Sequence, residues 1–130
     1  MSLGAIVMTM KNLMTWHFSK WVKKQDVTVE GLLEALEEVR SGSFEANLGG
    51  HLVKKRIRFK GQGKSGSGRV IVCYKQGGIA MFIHGFSKNE KTNLSSQELI
   101  AFKEFAKVLV KLSPEALSVA IKNRDFVEVK

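Results

Sequence analysis

Residues 51–59 read HLVKKRIRF, and this stretch decides the fold class. Side chains of opposite character alternate along it, as they do in a β-strand with one buried face and one solvent face. The apolar positions are Val53, Ile57 and Phe59, and the basic positions are Lys54, Arg56 and Arg58. Lys55 breaks the alternation. The pattern predicts a half-buried strand whose polar face is cationic.

Two more strands are predicted directly after this one. The Gly- and Ser-rich segment 61–68 indicates a loop, and the apolar run 69–75 indicates a second strand. Residues 76–78 read QGG and predict a hairpin turn into a third strand over 79–86. These strands would form a β-meander, whereas segment 43–50, which precedes it, is predicted to be a loop.

Helical spacing of apolar residues flanks the meander on both sides. A short helix over 16–24, with its aromatic rings in the core, and a second helix capped by Thr28 would form an N-terminal hairpin. Ser95 and Glu98 form a capping box for a helix reaching Leu112, and Ser113 and Pro114 begin a last helix ending near residue 123. With an extended piece at 9–14 and an edge strand at 126–129, we expect an α+β fold with the helices on one face of a small twisted antiparallel sheet.

Length and composition predict one domain over residues 1–130. A chain of this length with 44% hydrophobic and 25% charged residues buries one core. We expect residues 1–10 to lie outside the folded part, as a vector-derived or disordered extension, with Met8 or Met10 as an alternative start. Cys73 is the single cysteine and lies in an apolar run, so we expect a buried thiol. The absence of a disulfide pair, a secretory signal and a long apolar segment favours a cytoplasmic protein with no membrane partner.

The formal net charge of +9 is concentrated in the middle of the chain. Residues 51–91 hold ten basic residues and one acidic residue, while acidic and basic residues nearly balance in each flank. Such a concentration is typical of a surface that binds phosphates, and in strands rather than an amphipathic helix it favours nucleic acid over a membrane.

Familiar catalytic motifs are absent. Residues 61–65 read GQGKS, but a phosphate-binding P-loop needs Gly at position 58, where this chain has Arg, and a helix instead of a strand afterwards. A flexible loop that closes over RNA through Lys64 and a plain hairpin loop both stay open. The histidines at 17, 51 and 84 have no ligand-spaced partners, so we expect no metal and no cofactor.

RNA cleavage through the 2′-hydroxyl is the chemistry that the basic residues fit. It needs donors that stabilise extra charge on the phosphate, each worth about 2–4 kcal/mol, and proton transfer at both ends of the reaction. The candidate catalytic residues are Arg56, Arg58, Arg69, His84 and Lys88, and the candidate RNA-binding residues are Lys54, Lys55, Lys60, Lys64 and Lys91. His84 is either a general acid or base or a satisfied core histidine. The arginines either act in catalysis or keep the surface soluble.

Four segments together resemble the RelE-like toxins of type II toxin–antitoxin systems, and within the RelE/ParE superfamily most of all the HigB-like branch. They are LGGHLVKKRI at 48–57, GQGKSG at 61–66 leading to Arg69, HGFSKNEKTN at 84–93, and Glu98-Leu99 with Phe102. The resemblance runs from about residue 16 to residue 129.

The resemblance implies a helical hairpin, an antiparallel sheet and C-terminal helices, and a metal-independent endoribonuclease (an mRNA interferase) that cleaves mRNA on the ribosome and inhibits translation. It also implies a cognate antitoxin, often of the helix-turn-helix type. By position, the family's alternating pair of basic residues on the first sheet strand corresponds to Arg56 and Arg58, or to Lys54 and Arg56 if the register slips by two. The Arg that opens the next strand corresponds to Arg69, and the basic residue just after the Gly-Phe step corresponds to Lys88. Several relatives carry a Tyr or His near the C-terminus, whereas this tail reads FVEVK. A ParE-like toxin that inhibits gyrase and a non-catalytic nucleic-acid-binding module are the alternatives.

Overall fold

The computed structural model describes residues 11–59, 67–87 and 93–130. Within them the elements are β1 (Asn12–Thr15), α1 (Trp16–Val22), α2 (Val29–Arg40), β2 (Ala46–Gly49), β3 (Leu52–Arg58), β4 (Ser67–Tyr74), β5 (Ala80–Ser87), α3 (Ser96–Leu109), α4 (Pro114–Lys122) and β6 (Phe126–Glu128). The α+β fold with an N-terminal helical hairpin, a sheet and C-terminal helices is confirmed. The cap residues are also as expected: Thr28, Ser95 and Ser113 each accept a backbone hydrogen bond at a helix start.

The sheet is larger than the predicted meander. Its strand order is β2-β3-β4-β5-β1-β6, and the antiparallel pairs β3–β4 and β4–β5 are the meander itself. β1 lies between β5 and β6 and runs parallel to β5. A parallel pair needs a long crossover, which α1, α2 and the first strands of the meander provide. The sheet is therefore mostly antiparallel, as predicted, and β1–β5 is the parallel pair among the described strands.

Two further local predictions differ from the structure. Segment 43–50 was predicted to be a loop, but β2 lies within it and pairs with β3 at the edge of the sheet. Its four residues, ANLG, alternate between partly buried and exposed positions, but the strand is too short and too weakly apolar for this alternation to predict it from sequence. β4 begins at Ser67, inside the predicted loop 61–68, because Ser67 and Gly68 pair with Arg58 and Ile57.

Helices cover both faces of the sheet, so the prediction of a single covered face was wrong. One buried cluster joins the sheet to α1 and α2 and includes Phe18, Leu36 and Phe82. The other joins the opposite face to α3 and α4. The cause lies in β4, where four consecutive residues, Val70 to Cys73, are completely buried. A strand that is apolar on both faces requires cover on both sides.

We expected the aromatic residues of α1 to lie in the core, but not all of them do. Phe18 is fully buried and stacks on Phe82, with ring centroids 4.8 Å apart. Trp21 is half-buried and packs against Gly85, where a Cβ would overlap its ring. Trp16, by contrast, is 52% exposed, because residues two positions apart lie on nearly opposite sides of a helix and Phe18 is on the buried side. The prediction was wrong for Trp16 alone.

Candidate nucleic-acid interface

Four basic side chains lie on one face of the β3–β4 hairpin, and we call them the basic strip: Lys54, Arg56, Arg58 and Arg69. Strand alternation places the three β3 residues on the same face, and Arg56 is directly opposite Arg69 in the β3–β4 register. Cross-strand neighbours lie about 5 Å apart at Cβ, where two like charges repel each other in the absence of an anion. The fold thus brings together cations that are up to 15 positions apart in sequence.

Glu45 neutralises part of the basic strip. Its Oε1 lies 2.7 Å from Nε of Arg69 and 3.6 Å from Nζ of Lys54. Partial burial would raise the pKa of the Glu45 carboxyl, but the hydrogen bond and charge of Arg69 and the charge of Lys54 outweigh it, so this pKa lies below its ordinary value of 4.5. Lys54 also donates to Oδ1 of Asn93 at 2.8 Å. One carboxylate therefore holds two of the four cations in place.

Arg56 and Arg58 are the exposed members of the strip. Within residues 11–59, 67–87 and 93–130 neither makes a hydrogen bond or an ion pair with its side chain. They also border a cleft of about 470 Å³ against the first half of α2, which packs on the face of the sheet opposite the basic strip and contributes Glu34 and Glu38 to that cleft. These two guanidinium groups are available to an anionic ligand.

Lys55 lies on the other face of β3. Its Nζ is 2.9 Å from Oε1 of Glu38, on α2. This ion pair explains the break in the alternation of residues 51–59: a lysine replaces an apolar residue where a helix supplies an acid. The side chain of Lys55 therefore points away from the basic strip, and its contact with RNA stays a prediction.

A β-bulge aims His84 at the same face as the strip. Ile71 pairs with His84 and Val72 pairs with Phe82, so Ile83 is the extra residue on β5. A bulge turns two consecutive side chains toward one face, which is why His84 and buried Ile83 both face α3. The side chain of His84 is mostly buried but still reaches the surface, since 17% of it is exposed.

The described neighbours of the His84 imidazole include Glu98, Phe102 and His17. Its Nε2 lies 3.8 Å from Oε2 of Glu98, whose other oxygen accepts a hydrogen bond from the backbone N–H of Ser95 in the capping box of α3. The ring of Phe102 is 5.1 Å away between centroids, and the ring of His17 is 5.6 Å away and nearly parallel. Helix α3 thus positions a carboxylate beside a histidine at the border of the basic strip.

Four predicted site residues, Lys60, Lys64, Lys88 and Lys91, lie outside the described residues, as does the loop 61–66. The strand ends that flank these segments are described. Arg58 pairs with Ser67, and Gly68 pairs with Ser87. Both segments therefore start from the end of the sheet that carries Arg56, Arg58 and Arg69.

Cys73 is buried, as expected. Burial raises the pKa of its thiol from 9.0 to about 12. A thiol with this pKa stays protonated at neutral pH and is a poor nucleophile. In the described parts of the chain, no three His, Cys, Asp or Glu side chains are grouped so as to hold a metal, and no helix is long and apolar enough to cross a membrane.

Local sequence patterns missed three residues of the site: Glu45, Asn93 and His17. Glu45 was counted only with the acids that balance the N-terminal flank, and its position just before a strand was hidden because β2 was not predicted. Asn93 and His17 lie far in sequence from the strip and have no local signal of their own. Glu98 was predicted as a capping residue, but its proximity to His84 was not.

Comparison with known proteins gives one family. A family model described as the RelE toxin of the RelE / RelB toxin–antitoxin system matches residues 10–129. No curated protein matches the chain. The matched range contains the whole basic strip, His84 and Glu98. Because the match is to the RelE family as a whole, the HigB-like branch stays a prediction.

Proposed function

Because this chain belongs to the RelE toxin family, we propose that it acts as a ribosome-dependent endoribonuclease that cleaves mRNA and thereby stops translation. Family membership makes it a toxin of a toxin–antitoxin system, with an antitoxin as partner. Beyond family membership, we propose that the target is mRNA on the ribosome, that the reaction is RNA cleavage, and that the residues named below carry it out. The proposal also adds a helix-turn-helix antitoxin and action in the cytoplasm, where ribosomes are.

The observation that carries the proposal is the pairing of Arg56 with Arg69 on one sheet face, beside Arg58 and Lys54. Two exposed guanidinium groups and two partly neutralised cations form a surface that suits a phosphodiester backbone. Single-stranded RNA is an extended polyanion, and it can run across neighbouring strands of such a sheet. Lys88 would add a further cation beyond Ser87.

The reaction fits these groups without a metal. The 2′-oxygen attacks the adjacent phosphorus as its proton leaves to a base, the bond from phosphorus to the 5′-oxygen breaks, and that oxygen receives a proton. The products are a 2′,3′-cyclic phosphate and a 5′-hydroxyl. Arg56, Arg58 and Arg69 would stabilise the additional negative charge on the pentacoordinate phosphate. His84, oriented by Glu98, would take part in one of the two proton transfers.

Cleavage of ribosome-bound mRNA in a reconstituted translation system tests the proposal. Arg56→Ala and Arg69→Ala should each slow cleavage about 100-fold or more, since each removes a donor to the transition state. His84→Ala should slow it by a factor of about 100 to 10,000. Lys122→Ala, which removes an exposed cation of α4 far from the strip in sequence, is the matched control and should cleave like the wild type.

A different outcome would redirect the assignment. If the wild-type toxin leaves ribosome-bound mRNA intact but blocks DNA supercoiling by gyrase, the nuclease proposal fails and a gyrase-directed toxin is indicated. If the Arg69→Ala toxin stops growth as strongly as the wild type while remaining folded, the phosphate site is not where we place it.

A further inference from the structure

A second concave surface lies on the α3 side of the sheet, next to His84. We call it the aromatic cleft. The side chains used below are Trp16, His17, Phe105, Asn123, Arg124 and Asp125. Phe105 packs with Phe126 in the buried cluster of the α3 side, so the floor of the cleft belongs to the same layer as Ile83 and Phe86.

The aromatic cleft adjoins the basic strip through a pair of stacked imidazoles. His17 and His84 are parallel within 3°, with centroids 5.6 Å apart, and His17 is exposed. Thr15, at the end of β1, donates to the carbonyl of Ile83, which fixes the start of α1 beside the bulge of β5. Arg69 and Thr15 are two strand spacings apart across the sheet, about 10 Å, and the register offsets them by three residues, about 10 Å, along β5. A short stretch of single-stranded RNA can bridge that distance.

Trp16 presents an exposed aromatic face at the aromatic cleft. Trp16 is 52% exposed, and the ammonium of Lys20 lies 5.1 Å from the centre of its ring. A large apolar ring exposed beside cations is the arrangement that receives a nucleobase, since every base has a flat face to stack and a phosphate nearby. An apolar partner helix would gain nothing from the neighbouring charges.

The rim of the aromatic cleft carries hydrogen-bonding groups of three kinds. Asn123 ends α4, Arg124 follows with a left-handed backbone (φ 66°), and Asp125 precedes β6. An amide, a guanidinium and a carboxylate can together meet both donors and acceptors on the edge of a base. Stacking in the cleft could thus be combined with some choice among bases.

We propose that the aromatic cleft binds a nucleobase of the single-stranded RNA whose backbone lies on the basic strip, with Trp16 and His17 as stacking groups. This inference rests on the proposed function. It assigns Trp16 and His17 to RNA binding and Asn123, Arg124 and Asp125 to the edge of the bound base.

Binding of a short single-stranded oligoribonucleotide, 2′-O-methylated so that it is not cleaved, tests the inference. Trp16→Ala and His17→Ala should each weaken binding about tenfold or more, as expected for the loss of one base–aromatic stack, and Trp16→Phe should restore most of it. The slope of affinity against salt should not change, because stacking releases no counterions. On an abasic oligomer of the same length the variants should bind like the wild type.

Val119→Ala, which trims an exposed apolar side chain of α4, is the matched control and should have no effect. Cleavage of ribosome-bound mRNA by the same variants gives a second readout that does not depend on affinity for free RNA. Trp16→Ala should raise KM or alter the preferred cleavage sites there.

Several results would overturn the inference. If Trp16→Ala and His17→Ala bind and cleave RNA as the wild type does while Arg69→Ala does not cleave, the cleft is not part of the RNA site but the proposed function stands. If the two variants lose binding to the cognate antitoxin and keep full activity on RNA, the cleft is a protein-docking surface. If neither they nor Arg69→Ala change cleavage, both the aromatic cleft and the phosphate site are wrongly placed, and if the wild type cleaves no ribosome-bound mRNA, the proposed function itself fails.

Discussion

At the scale of single residues, Glu45 controls how much positive charge the basic strip offers. Its carboxylate contacts Arg69 and Lys54, and those two cations hold its pKa below the ordinary value. An incoming phosphate must therefore compete with this carboxylate for Arg69, whereas Arg56 meets no such competitor among the described residues. The basic strip is therefore partly neutralised in the free protein: Glu45 pairs with Lys54 and Arg69, whereas Arg56 and Arg58 are exposed to an incoming phosphate.

Replacing Glu45 with Gln should strengthen RNA binding. The amide cannot neutralise Arg69 and Lys54, so both cations become available to phosphate, and affinity should rise about two- to fivefold, the size of an exposed ion pair. Electrophoretic mobility shift or anisotropy with single-stranded RNA measures the change. Glu104→Gln, which removes an acid paired with Lys107 on α3, is the control and should leave affinity unchanged. Weaker binding by Glu45→Gln would mean that the carboxylate orients Arg69 rather than competing for it.

Cys73 should resist alkylation in the native protein. With its pKa raised to about 12, only about one molecule in ten thousand carries a thiolate at about pH 8, and the sulfur is buried as well. Iodoacetamide should label the protein once per chain in guanidinium chloride and leave it unlabelled without denaturant over the same time. Because the chain has one cysteine, mass spectrometry reads the result directly. Rapid native labelling would contradict the packing of β4.

At the scale of elements, strand β5 joins the core to the site through three consecutive residues. Ile83 is the extra residue of the bulge, His84 reaches the site, and Gly85 gives room to the ring of Trp21 on the opposite face. The glycine therefore allows α1 to approach β5 closely. That approach also brings His17, at the start of α1, within stacking distance of His84.

Gly85→Ala should destabilise the fold. The new methyl group would overlap the half-buried ring of Trp21, and overpacking of this kind costs about 1–3 kcal/mol. Chemical denaturation followed by far-UV circular dichroism measures the loss. Gly78→Ala is the matched control, since a Cβ there would lie 3.5 Å from the nearest atom, an ordinary contact, and should change stability by less than about 0.5 kcal/mol. Equal stability of the two variants would show that Trp21 can move aside.

At the scale of the whole molecule, the two faces of the sheet carry different features. One face packs on the helical hairpin and contains Lys55 paired with Glu38. The other carries α3, α4, the basic strip and the aromatic cleft. Four of the six described cations of the central segment, those of the basic strip, therefore lie on one side of the sheet. A one-sided field of this sort attracts a polyanion and orients it as it approaches.

The salt dependence of RNA binding should show how many phosphates the basic strip contacts. For single-stranded RNA, each phosphate contact contributes about 0.7 to the slope of log affinity against log salt concentration. Arg56→Ala and Arg58→Ala should each reduce the slope by about that amount, whereas Lys122→Ala should not. Equal effects of all three variants would mean that binding depends on net charge alone and that the strip has no particular position on the RNA.

The sequence by itself determined the fold class, the helix starts, the cationic face of β3 and the buried state of Cys73. Each of these follows from local chemistry: alternation within a strand, a side chain that caps its own helix, or an apolar run that excludes charge. Only the tertiary structure decided that β1 joins β5, that helices cover both faces, that Glu45 pairs with Arg69, and that His17 stacks on His84. These depend on contacts between distant segments, such as the hydrogen bond from Thr15 to Ile83 across 68 positions. No local period encodes such a contact, because it forms only once the chain has closed around its core.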